Sequence, residues 1–295
     1  MNRTDILEQI QQNVERLSAF DSPEYAHIPF HQKPSPSIPS IRKIMHLLRM
    51  VVFPGFFGAE QEARPGSIHY YMGVYLEKIY DLLHEQVYNG LCFESDECSA
   101  TTHQASRITI DFINKIHSIK HLLSTDVKAI LDGDPAANSL SEVIFCYPAT
   151  QAILYQRIAH ELFKLGVPIL PRIITEIAHS ETGIDIHPGA QIGEYFSIDH
   201  GTGIVIGQTT VIGDHVRLYQ GVTLGAKRFT YDEDGLPMNL PRHPIIENNV
   251  IIYSNTSVLG RITIGHDSII GGNIWLTHSV PSHSKILQTQ AIQDW

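Results

Sequence analysis

Gly183-Ile184-Asp185-Ile186-His187-Pro188-Gly189-Ala190-Gln191-Ile192-Gly193, followed by Ile198-Asp199-His200-Gly201-Thr202-Gly203, is the stretch that decides the fold. An aliphatic residue returns there at every sixth position: Ile186, Ile192 and Ile198, then Ile206, Ile212, Leu218 and Leu224. The series resumes as Ile246, Ile252, Val258, Ile264, Ile270 and Leu276. A six-residue period fits neither an amphipathic helix nor an alternating strand. It predicts a parallel β-helix of hexapeptide repeats, with three hexads per triangular coil and successive coils stacked at roughly 4.8 Å. The aliphatic residue of each hexad fills the interior, and a following glycine lets the backbone turn the corner.

The frame breaks twice. Between Ile198 and Ile206 the step lengthens, so residues within Asp199–Val205 must bulge from a corner. Between Leu224 and Ile246 a longer segment leaves the coil, from Gly225-Ala226-Lys227-Arg228 to Leu240-Pro241-Arg242-His243-Pro244. A solenoid accepts insertions at its corners, where they become surface loops. Both breaks therefore set ionisable groups outside the apolar prism: Asp199 and His200 in one, Arg242 and His243 in the other.

Upstream, the period is helical. Ile6, Ile10, Val14 and Leu17 mark an opening helix, and a proline-rich connector spans residues 22–40. A short helix near 40–52 ends before Phe53-Pro54-Gly55. Ile68, Met72, Tyr75, Ile79 and Leu82 predict a long helix stopping near Asn89-Gly90. Ile108, Phe112, Ile116, Ile119 and Leu123 predict another, with Ser124-Thr125-Asp126 capping a short helix through Ile130. Asp132-Gly133-Asp134-Pro135 breaks the chain before a helix from about Tyr147 to Gly166. The tyrosine stripe Tyr70, Tyr71, Tyr75 and Tyr80 reads as packing. The expected organisation is an all-helical domain over 1–182, a β-helical domain over 183–285 with a loop insertion at 226–243, and a tail over 286–295.

The chain has 295 residues and a net charge of −10, which disfavours a nucleic-acid polyanion as partner. It shows no apolar run of membrane-spanning length and no signal-peptide start, so a cytoplasmic protein is expected. Cys92, Cys98 and Cys146 make neither a metal motif nor an even disulfide set and read as buried or incidental thiols.

Asp185 and His200 are spaced to reach the same edge of the coil. A carboxylate that accepts from one imidazole nitrogen fixes the tautomer and leaves the other nitrogen free as a base. On spacing alone, His200 satisfying a loop backbone is an equally good reading.

The motifs Asp185-Ile186-His187-Pro188, Asp199-His200-Gly201-Thr202-Gly203, Gly221-Val222-Thr223-Leu224-Gly225 and Arg242-His243-Pro244 resemble, in order, those of the serine O-acetyltransferases. Asp134-Pro135-Ala136, Tyr147-Pro148-Ala149-Thr150-Gln151-Ala152 and Arg157-Ile158-Ala159-His160 are similar to the end of that family's helical domain. The resemblance covers roughly residues 126–283. It implies a left-handed hand for the β-helix and a homotrimer, or a dimer of trimers, with active sites between neighbouring coils. It implies acetyl transfer from acetyl-CoA to the L-serine hydroxyl, giving O-acetyl-L-serine for cysteine biosynthesis, with L-cysteine as inhibitor. By motif position His200 is the general base and Asp185 its orienting partner. Asp134, Asp199, Arg242 and His243 bind serine, and acetyl-CoA lies along Gly225, Ala226, Ser254 and Gly272.

Residue chemistry agrees with that assignment. A serine hydroxyl needs a base to take its proton during attack on a thioester. Its carboxylate suits a guanidinium and its ammonium suits carboxylates.

Some features depart from the family pattern. The loop after Leu224 reads Gly-Ala-Lys-Arg-Phe and carries the extra Tyr231-Asp232-Glu233-Asp234-Gly235; a Gly-Val-Pro-Ala-type segment after His283 is absent. The chain ends at Trp295, whereas members that dock a sulfhydrylase end in isoleucine, which disfavours that partnership. Three other readings stay open: acetylation of another acceptor such as a sugar, a zinc enzyme resembling γ-carbonic anhydrases through His278 and His283, and a non-catalytic scaffold. No metal is expected.

Overall fold

In a computed structural model the described residues are 3–18, 35–58, 64, 66–93 and 102–288. Most of the proline-rich connector, and the tail from 289 to Trp295, lie outside them. Contacts divide the chain into two compact units, Met1–Pro34 and Ser35–Trp295. The first contains helix α1 (Arg3–Ser18), whose Ile6, Ile10, Val14 and Leu17 are exposed.

The second unit holds helices α2 (Ile38–Val52), α3 (Ile68–Phe93), α4 (Thr102–Ile113), α5 (Ile116–Gly133), α6 (Leu140–Cys146), α7 (Pro148–Lys164) and α8 (Leu170–Thr182). Ser37 caps α2 by accepting from the Ser40 N–H, and Ser139 caps α6 by accepting from the Glu142 N–H. Helix α8 stops at Gly183, whose φ of 71° turns the chain into the coil.

Two helix boundaries differ from the sequence expectation. Helix α3 continues through Asn89-Gly90 to Phe93 instead of stopping there. In the second case the break falls at Asn114-Lys115, and α5 runs through Ser124-Thr125-Asp126 without interruption. Ser124 and Thr125 donate back to the carbonyls of His121 and Leu122, so they stay inside the helix. Asp126 is buried on Arg157 and caps nothing. Helices α6 and α8 had no expectation at all. The cysteine reading also changes: Cys92 is disulfide-bonded, and Cys146 is a free, exposed thiol. Of the tyrosine stripe, Tyr75 is buried and Tyr70 is exposed.

Among the described residues fourteen short parallel strands follow, forming three faces of a prism. Face A stacks β1 (Asp185–Ile186), β4 (Val205–Ile206), β7 (Thr223–Gly225), β10 (Ser257–Leu259) and β13 (Trp275–Leu276). Face B stacks β2 (Gln191–Ile192), β5 (Val211–Ile212), β8 (Ile245–Ile246) and β11 (Thr263–Ile264). Face C stacks β3 (Ser197–Asp199), β6 (Arg217–Tyr219), β9 (Ile251–Ile252), β12 (Ile269–Ile270) and β14 (Lys285–Ile286). The registers pair Ile186 with Ile206, Ile192 with Ile212 and Ile198 with Leu218, which is the expected interior series. A second buried residue stands two positions before many of these: Ala190, Phe196, Ile204, Val216, Val222 and Val250. The coil thus buries two side chains per hexad, of which the periodic reading saw one.

Both breaks fall at corners. At the C/A corner His200, Gly201 and Gly203 take φ of 57°, 95° and 80°, the left-handed states that a widened turn requires. At the A/B corner, residues 226–243 leave after β7 and return before β8. The coil also outlasts the expected series. Val280 bridges to Ile264, and β14 adds to β12, so a shortened last coil follows Leu276.

Candidate active site

The buried pair Arg157–Asp126 fixes the helices to the start of the coil. Arg157 on α7 donates from Nε and Nη2 to the two Asp126 oxygens at 2.6 and 2.8 Å. It also donates to the carbonyls of Ile192 and Gly193, while Asp126 accepts from the Phe196 N–H. Burial pushes the Asp126 carboxyl up, against which the bidentate guanidinium and the amide favour its anion. This clasp sets the end of α5 beside β3 at the C/A edge.

Asp134 follows α5 directly. Its Oδ1 accepts from the Ala136 N–H at 2.8 Å and its Oδ2 accepts from the Tyr147 hydroxyl at 2.6 Å. These bonds, the tyrosine's first, hold the carboxyl below its usual range, and the same bond lifts Tyr147 to about 12. Asp134, Tyr147, Ser197, Asp199 and Arg217 line one small cleft. Arg217 donates from Nη1 to the Gly133 carbonyl at 2.9 Å, and its guanidinium occupies the space a Cβ on Gly133 would need. His200 projects from the corner with its side chain 76% exposed, and its Nε2 lies 3.7 Å from Asp199 Oδ1.

Asp185 reaches this edge, since Gly203 donates to the Gly183 carbonyl. Its carboxylate nevertheless faces Arg172 Nη1 at 3.8 Å. Among the described residues the carboxylate within ion-pair distance of the His200 ring is therefore Asp199, where spacing had suggested Asp185. Tyr147 and Arg217 are site residues the sequence reading did not assign. Arg217 occupies the outward position one coil below Ser197, so the register would have found it.

Arg242 and His243 sit at the A/B corner. Thr209 Oγ1 accepts from both their backbone N–H groups, at 2.9 and 3.1 Å. The Thr209 backbone N–H donates to His243 Nδ1 at 3.1 Å, so that nitrogen is an acceptor and Nε2 carries the ring proton. The imidazole lies directly on Gly207, where a Cβ would overlap it. Arg242 donates to Gln208 Oε1, Asn239 Oδ1 and the Leu240 carbonyl at 3.0 to 3.2 Å, which aims the guanidinium before any ligand arrives.

Burial first, then the nearby Arg242 charge, lowers His243 to about 4; burial, then Arg172 and Arg242, lowers His187 to about 4. Both rings are neutral in the folded chain near pH 7. Between pH 6.5 and 4 the unfolded chain takes up protons that the folded chain refuses, so stability falls as pH falls through that window. His187→Asn should flatten the decline of the melting temperature across it, measured by thermal scans from pH 7.5 to 4.5.

Of the residues expected to hold acetyl-CoA, Ser254 and Gly272 stack at the C/A corner, where Asn273 donates to the Ser254 carbonyl. Gly225 and Ala226 start the A/B insertion. Near them, Lys227, Arg228, Arg242 and Arg261 line a cavity of about 440 Å³.

No sequence-family profile matches the chain. A curated serine acetyltransferase of Synechococcus elongatus, named as a plasmid form, is 50% identical over 269 residues, which is 88% of this chain and 84% of that protein. The chain belongs to the serine acetyltransferase family. Among solved structures, serine acetyltransferase 1 of Entamoeba histolytica in complex with L-cysteine is 34% identical, covering 94% of this chain and 96% of that one with a TM-score of 0.73. A Neisseria gonorrhoeae serine acetyltransferase in complex with serine is 25% identical over 85% of this chain and 97% of that one, with a TM-score of 0.55. Family membership makes the chain an acyltransferase that forms O-acetyl-L-serine for cysteine biosynthesis, on the β-helix the hexads predicted. Among the described residues, no helix is long and apolar enough to cross a membrane.

Proposed function

We propose that the acetyl transfer takes place between two copies of this chain, with acetyl-CoA as donor. One observation carries this reading. Asp134, Asp199 and His200 lie at the C/A edge, whereas Arg242 and His243 lie at the A/B edge, on the far side of face A. A hexad of extended backbone spans roughly 15–20 Å. A single serine cannot bridge that width, but a neighbouring coil can bring its A/B edge to this chain's C/A edge. Ser254 and Gly272 share the His200 edge, and Gly225 and Ala226 share the other, so the donor is divided in the same way. Head-to-tail contacts of this kind can close into a ring, and the trimer that the family resemblance implies is one such ring. Lys227, Arg228 and Arg261 give the donor's phosphates a cationic pocket. We place the enzyme in the cytoplasm.

In the reaction, Asp134 and Asp199 receive the serine ammonium, and Arg242 with the His243 Nε2–H receives the carboxylate. The ammonium displaces His200 from Asp199, and the freed ring turns to Asp185, which orients it. His200 takes the hydroxyl proton as the serine oxygen attacks the thioester carbonyl. The tetrahedral adduct then collapses, the carbon–sulfur bond breaks, and His200 returns the proton to the departing thiolate. The products are O-acetyl-L-serine and free CoA.

Mixing variants tests the shared site. His200→Ala and Arg242→Ala each give weakly active protein. Co-expressed in equal amounts, they should recover about a quarter of wild-type thiol release, because a quarter of random interfaces carry both intact halves. Activity no higher than that of the separate variants places both halves of the site on one chain.

L-Cysteine keeps the ammonium and carboxylate of serine and should compete for the same pocket. Its thiol, close to His200, gains thiolate character that tightens the hold. With serine varied at fixed acetyl-CoA, inhibition should be competitive, and Arg242→Ala should weaken both amino acids together. Inhibition that excess serine leaves intact points to a separate site.

A further inference from the structure

Away from the acetyl-transfer residues, the B/C corner repeats one backbone state down the coil. Tyr195, His215, Asn249, Asp267 and His283 each adopt φ of 57° to 61° there. Their side chains consequently stand in register from one coil to the next. On the last two coils the register brings together two imidazoles and a carboxylate. His266 Nδ1 stands 2.7 Å from Asp267 Oδ2, and His283 Nδ1 stands 3.8 Å from the same oxygen. One donor atom from each of the three lies within 4.8 Å of the others.

The surroundings hold this geometry. Asn249 Nδ2 donates to Asp267 Oδ1 at 3.0 Å, which leaves Oδ2 directed at the rings. The His283 N–H donates to the His266 carbonyl at 2.8 Å and fixes the rise between the coils. The His266 N–H donates to Glu247 Oε2 at 2.8 Å. No lysine or arginine pairs with Asp267 among the described residues. By contrast, the trio Glu176, His179 and Asp185 already faces the Arg172 guanidinium. The pairing of His283 with His278 is corrected as well: His278 follows face A and His283 follows the face B bridge at Val280, so the two lie at different corners.

We propose that His266, Asp267 and His283 bind a divalent transition metal of the zinc class, at a site distinct from the acetyl-transfer centre. Two imidazoles and one carboxylate suit zinc, cobalt or nickel and are too rich in nitrogen for calcium or magnesium. Tetrahedral zinc places its ligand atoms about 3.3 Å apart, a distance the two measured separations bracket. Both rings bind as neutral imidazoles: in a neutral ring the proton of the coordinating nitrogen moves to the other ring nitrogen, an imidazolium releases one proton to solvent, and water completes the coordination. Asn249 holds the carboxylate from outside the ligand set, the support such sites require. The ion ties the shortened last coil to the one before it, where β14 adds to β12.

The test uses tag-free full-length protein stripped with a chelator. Cobalt titration should give the visible spectrum of a nitrogen- and oxygen-ligated ion at one per chain, displaced by zinc. His283→Asn and Asp267→Asn keep a residue tolerant of positive φ, so the corner folds, and each should weaken zinc binding more than tenfold. Asn249→Ala should weaken it about tenfold. Zinc should slow amide exchange at Ile269 and Gly271, which donate to the last coil, in wild type and not in His283→Asn. Acetyl transfer by His283→Asn should match wild type. Absence of saturable binding overturns the proposal. So does zinc affinity unchanged in His283→Asn and Asp267→Asn, or zinc affinity lost in His200→Ala or His243→Ala, which moves the metal to the acetyl-transfer residues.

Discussion

His200→Ala should lower turnover by roughly 10²–10⁴-fold while leaving the fold and acetyl-CoA affinity close to wild type. The loss follows from its assigned role: without a proton acceptor, the serine hydroxyl must attack as a neutral, weak nucleophile. The fold is spared because the side chain is 76% exposed and its ion-pair contact among the described residues is Asp199 at 3.7 Å. Substitution opens no cavity and leaves no buried partner unpaired. Asp185→Asn should cost less, and on the His200→Ala background it should cost almost nothing further, because an orienting carboxylate has no function without the ring it orients. Stopped-time thiol release and a thermal scan on each variant measure both parts. Near-normal turnover in His200→Ala removes the residue from the chemistry.

Arg157→Met should destabilise the chain by about 3–5 kcal/mol, the largest effect expected of any single change outside the prism interior. Both partners of its ion pair are almost fully buried, with side chains 4% and 2% exposed. Removing the guanidinium strands the Asp126 carboxylate in an apolar setting and also leaves the Ile192 and Gly193 carbonyls without their donor. Asp126→Leu combined with Arg157→Met removes both charges and should recover a substantial part of the loss. Urea titration of the single and double variants measures this, and a double variant no more stable than Arg157→Met shows that the carboxylate tolerates burial alone.

The prism was legible because one aliphatic residue per hexad obeys a strict period, and the observed registers keep every member of that series inward. The shortened final coil escaped notice because Val280 follows Leu276 by four positions instead of six, and a fixed period has no means of recognising a corner short of two residues. At the candidate site, Asp134, Asp199, Arg242 and His243 could be singled out as residues displaced to corners or linked to a motif. Their division between two edges was there to be counted, since the first break falls between the third and fourth hexads and the second between the seventh and eighth, but the reading located the breaks without assigning them to different corners. The orientation of His200 depends on a side-chain torsion at an exposed turn, which is invisible to spacing. Arg157 passed as one residue of a motif, although its partner Asp126 lies on another helix and was read as a cap.

If Asp134 and Asp199 hold the serine ammonium as proposed, the Asp126–Arg157 clasp also couples the helical layer to substrate selection. It fixes the end of α5, from which Asp134 meets Asp199 across the cleft. A shift of that helix by an ångström would separate the two carboxylates while leaving His200 and the thioester pocket where they are. Changes on the outer helices should therefore appear as altered serine affinity at constant turnover. On that proposed reading, substitutions in the helical layer would tune serine affinity from a distance.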